Sequence, residues 1–240
     1  MDKILFCKHL KIEAEKINIK LNDKQLERFY NYMNLLIEWN EKINLTAITE
    51  PNEVIIKHFI DSLTASKYIE DNKSIVDVGT GAGFPGLPLA IYNDNYNITL
   101  VDSLNKRINF LNEVTNQLEI KNVTSIHSRA EEFGKNKQCR EKYDVAVSRA
   151  VAQLNILVEY LLPTIKVGGK CICMKGPDAQ KEIEEANHAI KLLGGNIEKI
   201  EEFNLADTDI KRTIIIINKI KNTPAKFPRK PGTPTKDPIK

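Results

Sequence analysis

The chain has 240 residues, of which 42% are hydrophobic and 28% charged, with a net charge of +3. That supports the buried core of one large domain and excludes a disordered or low-complexity chain. No apolar run approaches the roughly 20 residues of a membrane helix, and the start MDKILFCKHLKIEAEK is too charged for a secretory signal. Cys7, Cys139, Cys171 and Cys173 are too few and too irregular for a disulfide scaffold, so a soluble cytoplasmic protein without membrane contact is expected.

In chain order, the first 70 residues read as helices. Leu26, Phe29, Met33, Leu36 and Ile37 recur at helical spacing within 22–42, and Asn22 with Gln25 forms a capping-box signature. A second helix is expected from about Pro51, presenting Val54, Ile55, His58, Phe59 and Leu63 on one face. His58 has no partners at metal-ligand spacing and reads as a satisfied, partly buried histidine; no metal is expected.

From Ser74 short apolar runs (75–78, 98–101, 123–126, 143–147, 170–174) alternate with amphipathic stretches (104–118, 153–162, 178–193). Such alternation predicts an α/β fold with a parallel sheet covered on both faces. The runs 197–203 and 212–220 have only a polar turn between them and predict a hairpin, so the sheet should end with one antiparallel strand. Seven strands, mostly parallel, fit the methyltransferase variant of the Rossmann-like architecture better than the six-stranded dinucleotide variant. The chain is expected to divide into a helical extension (1–70), a main domain (71–220) and a tail (221–240).

The most informative segment is Asp77-Val-Gly79-Thr-Gly81-Ala-Gly83-Phe84-Pro85-Gly86, a strand end that turns through alternate glycines into a helix. Glycines are needed where the chain turns sharply or where a ligand approaches the main chain. Gly81 to Gly86 satisfies the dinucleotide pattern G-x-G-x-x-G. The first glycine after the strand is nevertheless Gly79, and the Asp77 carboxylate suits a cationic ligand such as S-adenosylmethionine better than a diphosphate. Asp102 ends the second strand, 19 residues after Gly83, where a carboxylate accepts from the ribose hydroxyls of an adenosine in either cofactor. Ala130-Glu131, after the third strand, would lie beside the adenine or simply start a helix.

The fourth strand delivers Ser148-Arg149-Ala150 to the carboxyl edge of the sheet, where open α/β sheets bind ligands. The Asp/Asn-Pro-Pro-aromatic run of amine methyltransferases is absent. Cys171 and Cys173 alternate within a strand and read as packing residues rather than nucleophiles. A guanine N7 lone pair needs no proton removed before attack, so a site without a general base fits methylation there, with catalysis mainly by alignment. Arg149 either donates to guanine O6 or fixes the cofactor carboxylate.

Residues 221–240 hold six lysines or arginines against one aspartate, +5 there and −2 elsewhere, and five of the ten prolines. Such a tail can follow a polyanion without folding into a core, or it is merely solvated.

Glu41-Lys-Ile-Asn44-Leu-Thr46-Ala47-Ile48, His58-Phe-Ile-Asp61-Ser62-Leu63, the glycine loop, Leu100-Val-Asp102-Ser103, Val147-Ser148-Arg149-Ala150 and Phe227-Pro-Arg229-Lys230-Pro-Gly232 together resemble the bacterial small-subunit ribosomal RNA methyltransferase G family, also called glucose-inhibited division protein B. The resemblance runs nearly the whole chain in one register. It implies a class I S-adenosylmethionine-dependent methyltransferase fold and methylation of guanine N7 in 16S rRNA of the small subunit. It also implies cofactor contacts from Gly79, Phe84, Ala130, Glu131, Arg149 and, at the ribose, Asp102; Asp77, Gly81 and Gly83 complete the loop. Lys175, Arg229 and Lys230 are the expected RNA contacts, Phe84 packs on the base or the cofactor, and the enzyme is expected to act as a monomer. The competing readings are a nicotinamide-dependent oxidoreductase and a non-catalytic RNA-binding protein.

Overall fold

The computed structural model describes residues 1–177 and 179–240. Helix α1 (Lys3–Lys16) starts where the Asp2 carboxylate accepts the Leu5 N–H at 2.9 Å. Helix α2 (Asp23–Ile43) opens on the expected reciprocal cap between Asn22 and Gln25 and buries Leu26, Phe29, Met33 and Leu36. The next stretch is less regular than its periodicity suggests. It runs from α3 (Pro51–Val54) through a π-helical segment, Ile55–Ile60, into α4 (Asp61–Leu63) and a 3₁₀ turn, Thr64–Tyr68. The widened turn buries Ile55, Phe59 and Ile60 together and lets His58 and Asp61 reach the end of a strand. Such insertions recur at functional sites.

Among the described residues seven strands form one sheet: β1 (Ser74–Val78), β2 (Asn97–Asp102), β3 (Val123–His127), β4 (Tyr143–Arg149), β5 (Ile165–Lys175), β6 (Gly195–Asn204) and β7 (Lys211–Lys219), in the order β3-β2-β1-β4-β5-β7-β6. Strands β1 to β5 pair in parallel, and β7 is antiparallel to both its neighbours. The expected antiparallel strand is therefore present, but it does not end the sheet; it inserts between β5 and β6. Composition explains the exchange. The run Thr213–Ile217 is buried throughout, which suits an interior strand, whereas β6 carries Glu198, Lys199, Glu201 and Glu202 and suits an edge.

Helices α5 (Gly86–Tyr92), α6 (Asn105–Gln117), α7 (Ala130–Lys135), α8 (Leu154–Leu161), α9 (Gln180–Leu192) and the short α10 (Thr233–Lys236) complete the chain; Asp178, the expected start of α9, lies outside the described residues. One apolar cluster joins α1, α2 and the 51–68 segment to α5, α6 and one sheet face, through residues such as Ile75, Leu100 and Val147. The other face packs Val76, Val78, Cys171 and Cys173 against α8 and α9. No helix among the described residues is long and apolar enough to cross a membrane.

Both strand cysteines are fully buried, and burial pushes the Cys173 thiol up to about 12. A thiol reagent is expected to label half-exposed Cys7 in the native protein. Labelling of Cys171 and Cys173 should be at least ~10³-fold slower, because it waits for global opening. Mass spectrometry of timed samples checks this.

The tail is not loose, contrary to its composition. Phe227 and Pro234 are buried, and the Arg140 guanidinium donates to the Thr223 and Phe227 carbonyls, both at 2.7 Å. Glu141 accepts from Asn222 and the Thr223 N–H. A packing face hidden among the charges docks residues 222–236 on α7, α8 and the Arg140-Glu141 turn.

Candidate functional site

The carboxyl ends of β1 and β4, neighbours with helical connections departing to opposite faces, form the switch point where open sheets bind ligands. After β1 the chain turns through Gly79, Gly81 and Gly83, all with positive φ (76°, 62° and 100°), while the Gly79 and Thr80 N–H groups donate to the Val101 carbonyl. A Cβ on Gly81 would meet nothing within 4 Å. On Gly83 it would strike Leu87 and the Tyr32 hydroxyl, and on Gly86 Leu100 and the Asp77 carboxylate. The backbone that a G-x-G-x-x-G loop offers to a diphosphate is thus packed into protein at its last two glycines.

Asp77, expected at the ligand, lies beneath the loop. It alternates with Val76 and Val78, so its carboxylate points to the opposite sheet face, where Oδ2 accepts from Thr80 Oγ1 (2.6 Å) and the Gly86 N–H (2.8 Å). Its other oxygen is buried and meets no hydrogen-bond donor among the described residues, and burial raises its pKa to about 7. An acid whose folded pKa lies above its unfolded value binds protons more readily folded, so its contribution is full below the unfolded pKa near 4 and is lost as pH rises toward 7. His58 has the opposite slope at acid pH, so a comparison of proteins is needed. The urea midpoint of Asp77→Asn relative to the parent is expected to rise between pH 5 and 8; a falling difference would contradict the sign.

Beside the loop lies a cavity of about 370 Å³ lined by Gly79, Asp102, Ala130, Glu131, Tyr160 and Gly232, among others. Asp102, 3% exposed, accepts from the Gly81 N–H (2.9 Å), the Leu104 N–H (2.9 Å) and Arg107 (3.2 Å), which ties β2's end to the glycine loop. Glu131 is 6% exposed and accepts the Gly232 N–H at 2.8 Å. Gly79, Asp102, Ala130 and Glu131 therefore share one cavity, whereas Asp77, Gly81, Gly83, Phe84 and Arg149 lie outside its lining.

A second cavity of about 580 Å³ adjoins the first, Ala150 and Val151 lining both. Here an array appears that sequence reading did not assemble. Arg149 donates to the Lys57 carbonyl (2.9 Å), to Asp61 (3.1 Å) and to His58 Nδ1 (3.1 Å). Arg212 Nε lies 3.0 Å from both Asp61 oxygens. Phe84 is stacked on His58 at 4.3 Å between centroids, with the Arg149 guanidinium 5.0 Å from its ring. Burial, then the Arg149 charge, lower the His58 pKa to about 3. The neutral ring accepts from Arg149 through Nδ1, so Nε2 donates to Thr46 Oγ1 (2.8 Å). The expectation of a satisfied histidine fits this environment. Asp61 and Arg212, which line this cavity, were not among the expected site residues; Arg212 heads an isoleucine run, where a charge is a signal in itself.

Of the expected RNA contacts, Lys175 is spent on Glu182 and the Ala152 carbonyl, both at 2.6 Å. Arg229 is held by the buried Glu159. Lys230 is exposed.

A family model for rRNA small subunit methyltransferase G matches residues 25–214. The Ribosomal RNA small subunit methyltransferase G of Alkaliphilus metalliredigens is 50% identical over 233 residues, covering 96% of this chain and 98% of that protein. The protein of the same name from Lactobacillus johnsonii is 50% identical over 231 residues, covering 95% and 97%. Among solved structures, M. jannaschii TYW2 in complex with AdoMet superposes with a TM-score of 0.52 at 14% identity, over 67% of this chain and 77% of that one. A SAM-dependent methyltransferase from Aquifex aeolicus gives 0.52 at 17%, over 70% and 93%; these two likenesses concern the fold. With a family match across most of its length and half its residues shared with curated members, the chain belongs to the rRNA small subunit methyltransferase G family.

Proposed function

We propose that the protein transfers the methyl group of S-adenosylmethionine to N7 of a guanine in 16S rRNA of the small ribosomal subunit, acting as a cytoplasmic monomer. The observation that carries the site assignment is the pair of adjoining cavities at the switch point, separated by Ala150 and Val151. The first fits an adenosine-containing cation. It has the Asp102 carboxylate at the end of β2 for the ribose, Ala130-Glu131 at its far end, and apolar walls from Val78, Val101 and Tyr160. S-adenosylmethionine supplies an electrophilic methyl group on a sulfonium.

The second cavity, with Arg149, Arg212 and Lys57 at its wall, suits a base delivered on a polyanion. Neither His58 nor Asp61 is arranged as a general base there, and Glu182 is engaged through one oxygen by Lys175 and the Leu154 N–H. Both His58 nitrogens are hydrogen-bonded, and Asp61 is held between two guanidinium groups. Guanine N7 carries its lone pair unprotonated at neutral pH, so these residues have no proton to remove before attack. Their work is to hold the base and the wall of the adjoining cavity in fixed relation, and alignment of that kind supplies large rate factors by itself. Exposed Lys230 remains available to a phosphate.

The test incubates small subunits lacking the modification with labelled S-adenosylmethionine and then cleaves the RNA chemically at 7-methylguanosine. One labelled cleavage site is expected. Label without cleavage would move the reaction to another atom, and no label would leave only an RNA-binding protein.

A further inference from the structure

The geometry points to the C-terminal turn 229–235 as a working wall of the methyl-donor cavity, latched by Arg229 on Glu159, rather than as a contact for RNA. The inference rests on the assignment of the 370 Å³ cavity to S-adenosylmethionine.

Three side chains hold the turn, and all three come from α7 and α8. Glu159 is wholly buried in α8. Its carboxylate accepts from the Arg229 backbone N–H (2.7 Å), from Nε (3.0 and 3.2 Å) and from Nη2 (2.8 Å). A carboxylate inside an apolar helix face is tolerated only when paired, and here one residue of the tail meets both of its oxygens. Glu131 accepts the Gly232 N–H at 2.8 Å, where φ is +80° and glycine turns the chain back. The Tyr160 hydroxyl meets Thr235 Oγ1 at 3.2 Å.

Glu131 and Tyr160 line the donor cavity themselves, and so do Gly232 and Thr235. The same contacts that dock the tail therefore build the cavity. Gly79, Asp102 and Ser128 also line it. Arg229 makes no contribution to a free basic surface, because its charge is matched by Glu159 and approached by Asp237 at 3.5 Å. Arg229 and Glu159 are thus positioning residues: they touch each other and act on the donor through the turn between them. Release of the latch opens one side of the cavity and shortens the donor's residence.

Two main variants test this, with Arg229→Lys as an intermediate and Ser128→Trp as a control. One chain ends at Pro228. The other, full length, carries Glu159→Gln with Arg229→Gln, which keeps the shape and leaves no unpaired buried charge should the truncated chain fail to fold. Donor affinity is read by calorimetry with S-adenosylmethionine and with S-adenosylhomocysteine, alongside the KM for each substrate. The expected result is a donor Kd and KM at least tenfold higher, a KM for small subunits within twofold of the parent, and an intermediate donor Kd for Arg229→Lys. A donor Kd within twofold of the parent in the double variant overturns the inference, as does a rise confined to the KM for small subunits. Ser128→Trp, which puts a large side chain at a lining residue outside the tail, separates this from the underlying assignment. Donor binding lost there but unchanged in the tail variants refutes the latch alone. Donor binding retained there refutes the assignment of the cavity.

Discussion

Asp61→Asn is expected to lower turnover about 100-fold, the scale at which misplacement of about 1 Å costs rate. Asp61 is 3% exposed and is the anion between two guanidinium groups, with Arg212 Nε 3.0 Å from each of its oxygens and Arg149 at 3.1 Å from one. Asparagine keeps the shape but loses the charge and turns an N–H₂ toward a guanidinium donor. Two cations then share a partly buried space without their counter-ion, at a cost of about 3–5 kcal/mol when one partner of a buried pair is removed. Arg149 also fixes the Lys57 carbonyl, His58 and, by its position over the ring, Phe84. Its displacement loosens the wall of the second cavity and the Ala150-Val151 partition beside it. The effect should fall on kcat and on the KM for small subunits, with the donor Kd moving less than tenfold, because Arg149 does not line the donor cavity. Single-turnover methylation with saturating donor measures it. Turnover within threefold of the parent would show that the array is only structural.

How much of this was legible in the sequence depends on distance along the chain. The α2 cap, the glycine loop and Asp102 at a strand end are local patterns, and local patterns survive in a sequence. The Asp61–Arg149–Arg212 array joins residues up to 151 positions apart and no periodicity announces it. The π-helical turn that lets Asp61 reach it leaves the apolar spacing of residues 51–63 almost unchanged. Strand order was half legible: two strands without a helix between them meant a hairpin, but which of the pair lay inside required weighing the isoleucines of β7 against the charges of β6. The docking of the tail was not legible because composition counts charges without their partners. Glu159, a lone acid in an otherwise apolar helix, was the available hint that one of those charges was spoken for.

The glycine loop yields the second large effect, and it comes from contrasting two glycines. Gly81→Val is expected to weaken S-adenosylmethionine binding by about 100-fold, about 2.7 kcal/mol, while the protein still folds. A Cβ there meets no protein atom within 4 Å, so the substitution adds no internal clash, but it places a branched residue on a backbone at φ +62°. The strain of a branched residue in that region costs about 1–3 kcal/mol. It pulls on the Gly81 N–H that holds Asp102 at 2.9 Å, so the ribose carboxylate moves with the loop. Gly86→Ala should act on stability without the loss of affinity. Its Cβ would come within 2.3 Å of Leu100 Cδ2 and 2.9 Å of the Asp77 carboxylate. That overpacks a buried strand–helix junction at about 1–3 kcal/mol, and it frays the Asp77 bond to the Gly86 N–H. Urea unfolding and donor calorimetry on both variants separate the two roles: both lose stability, but affinity falls about 100-fold only in Gly81→Val. Equal losses of affinity in the two would mean that the loop acts only as a scaffold, with no face of its own turned to the donor.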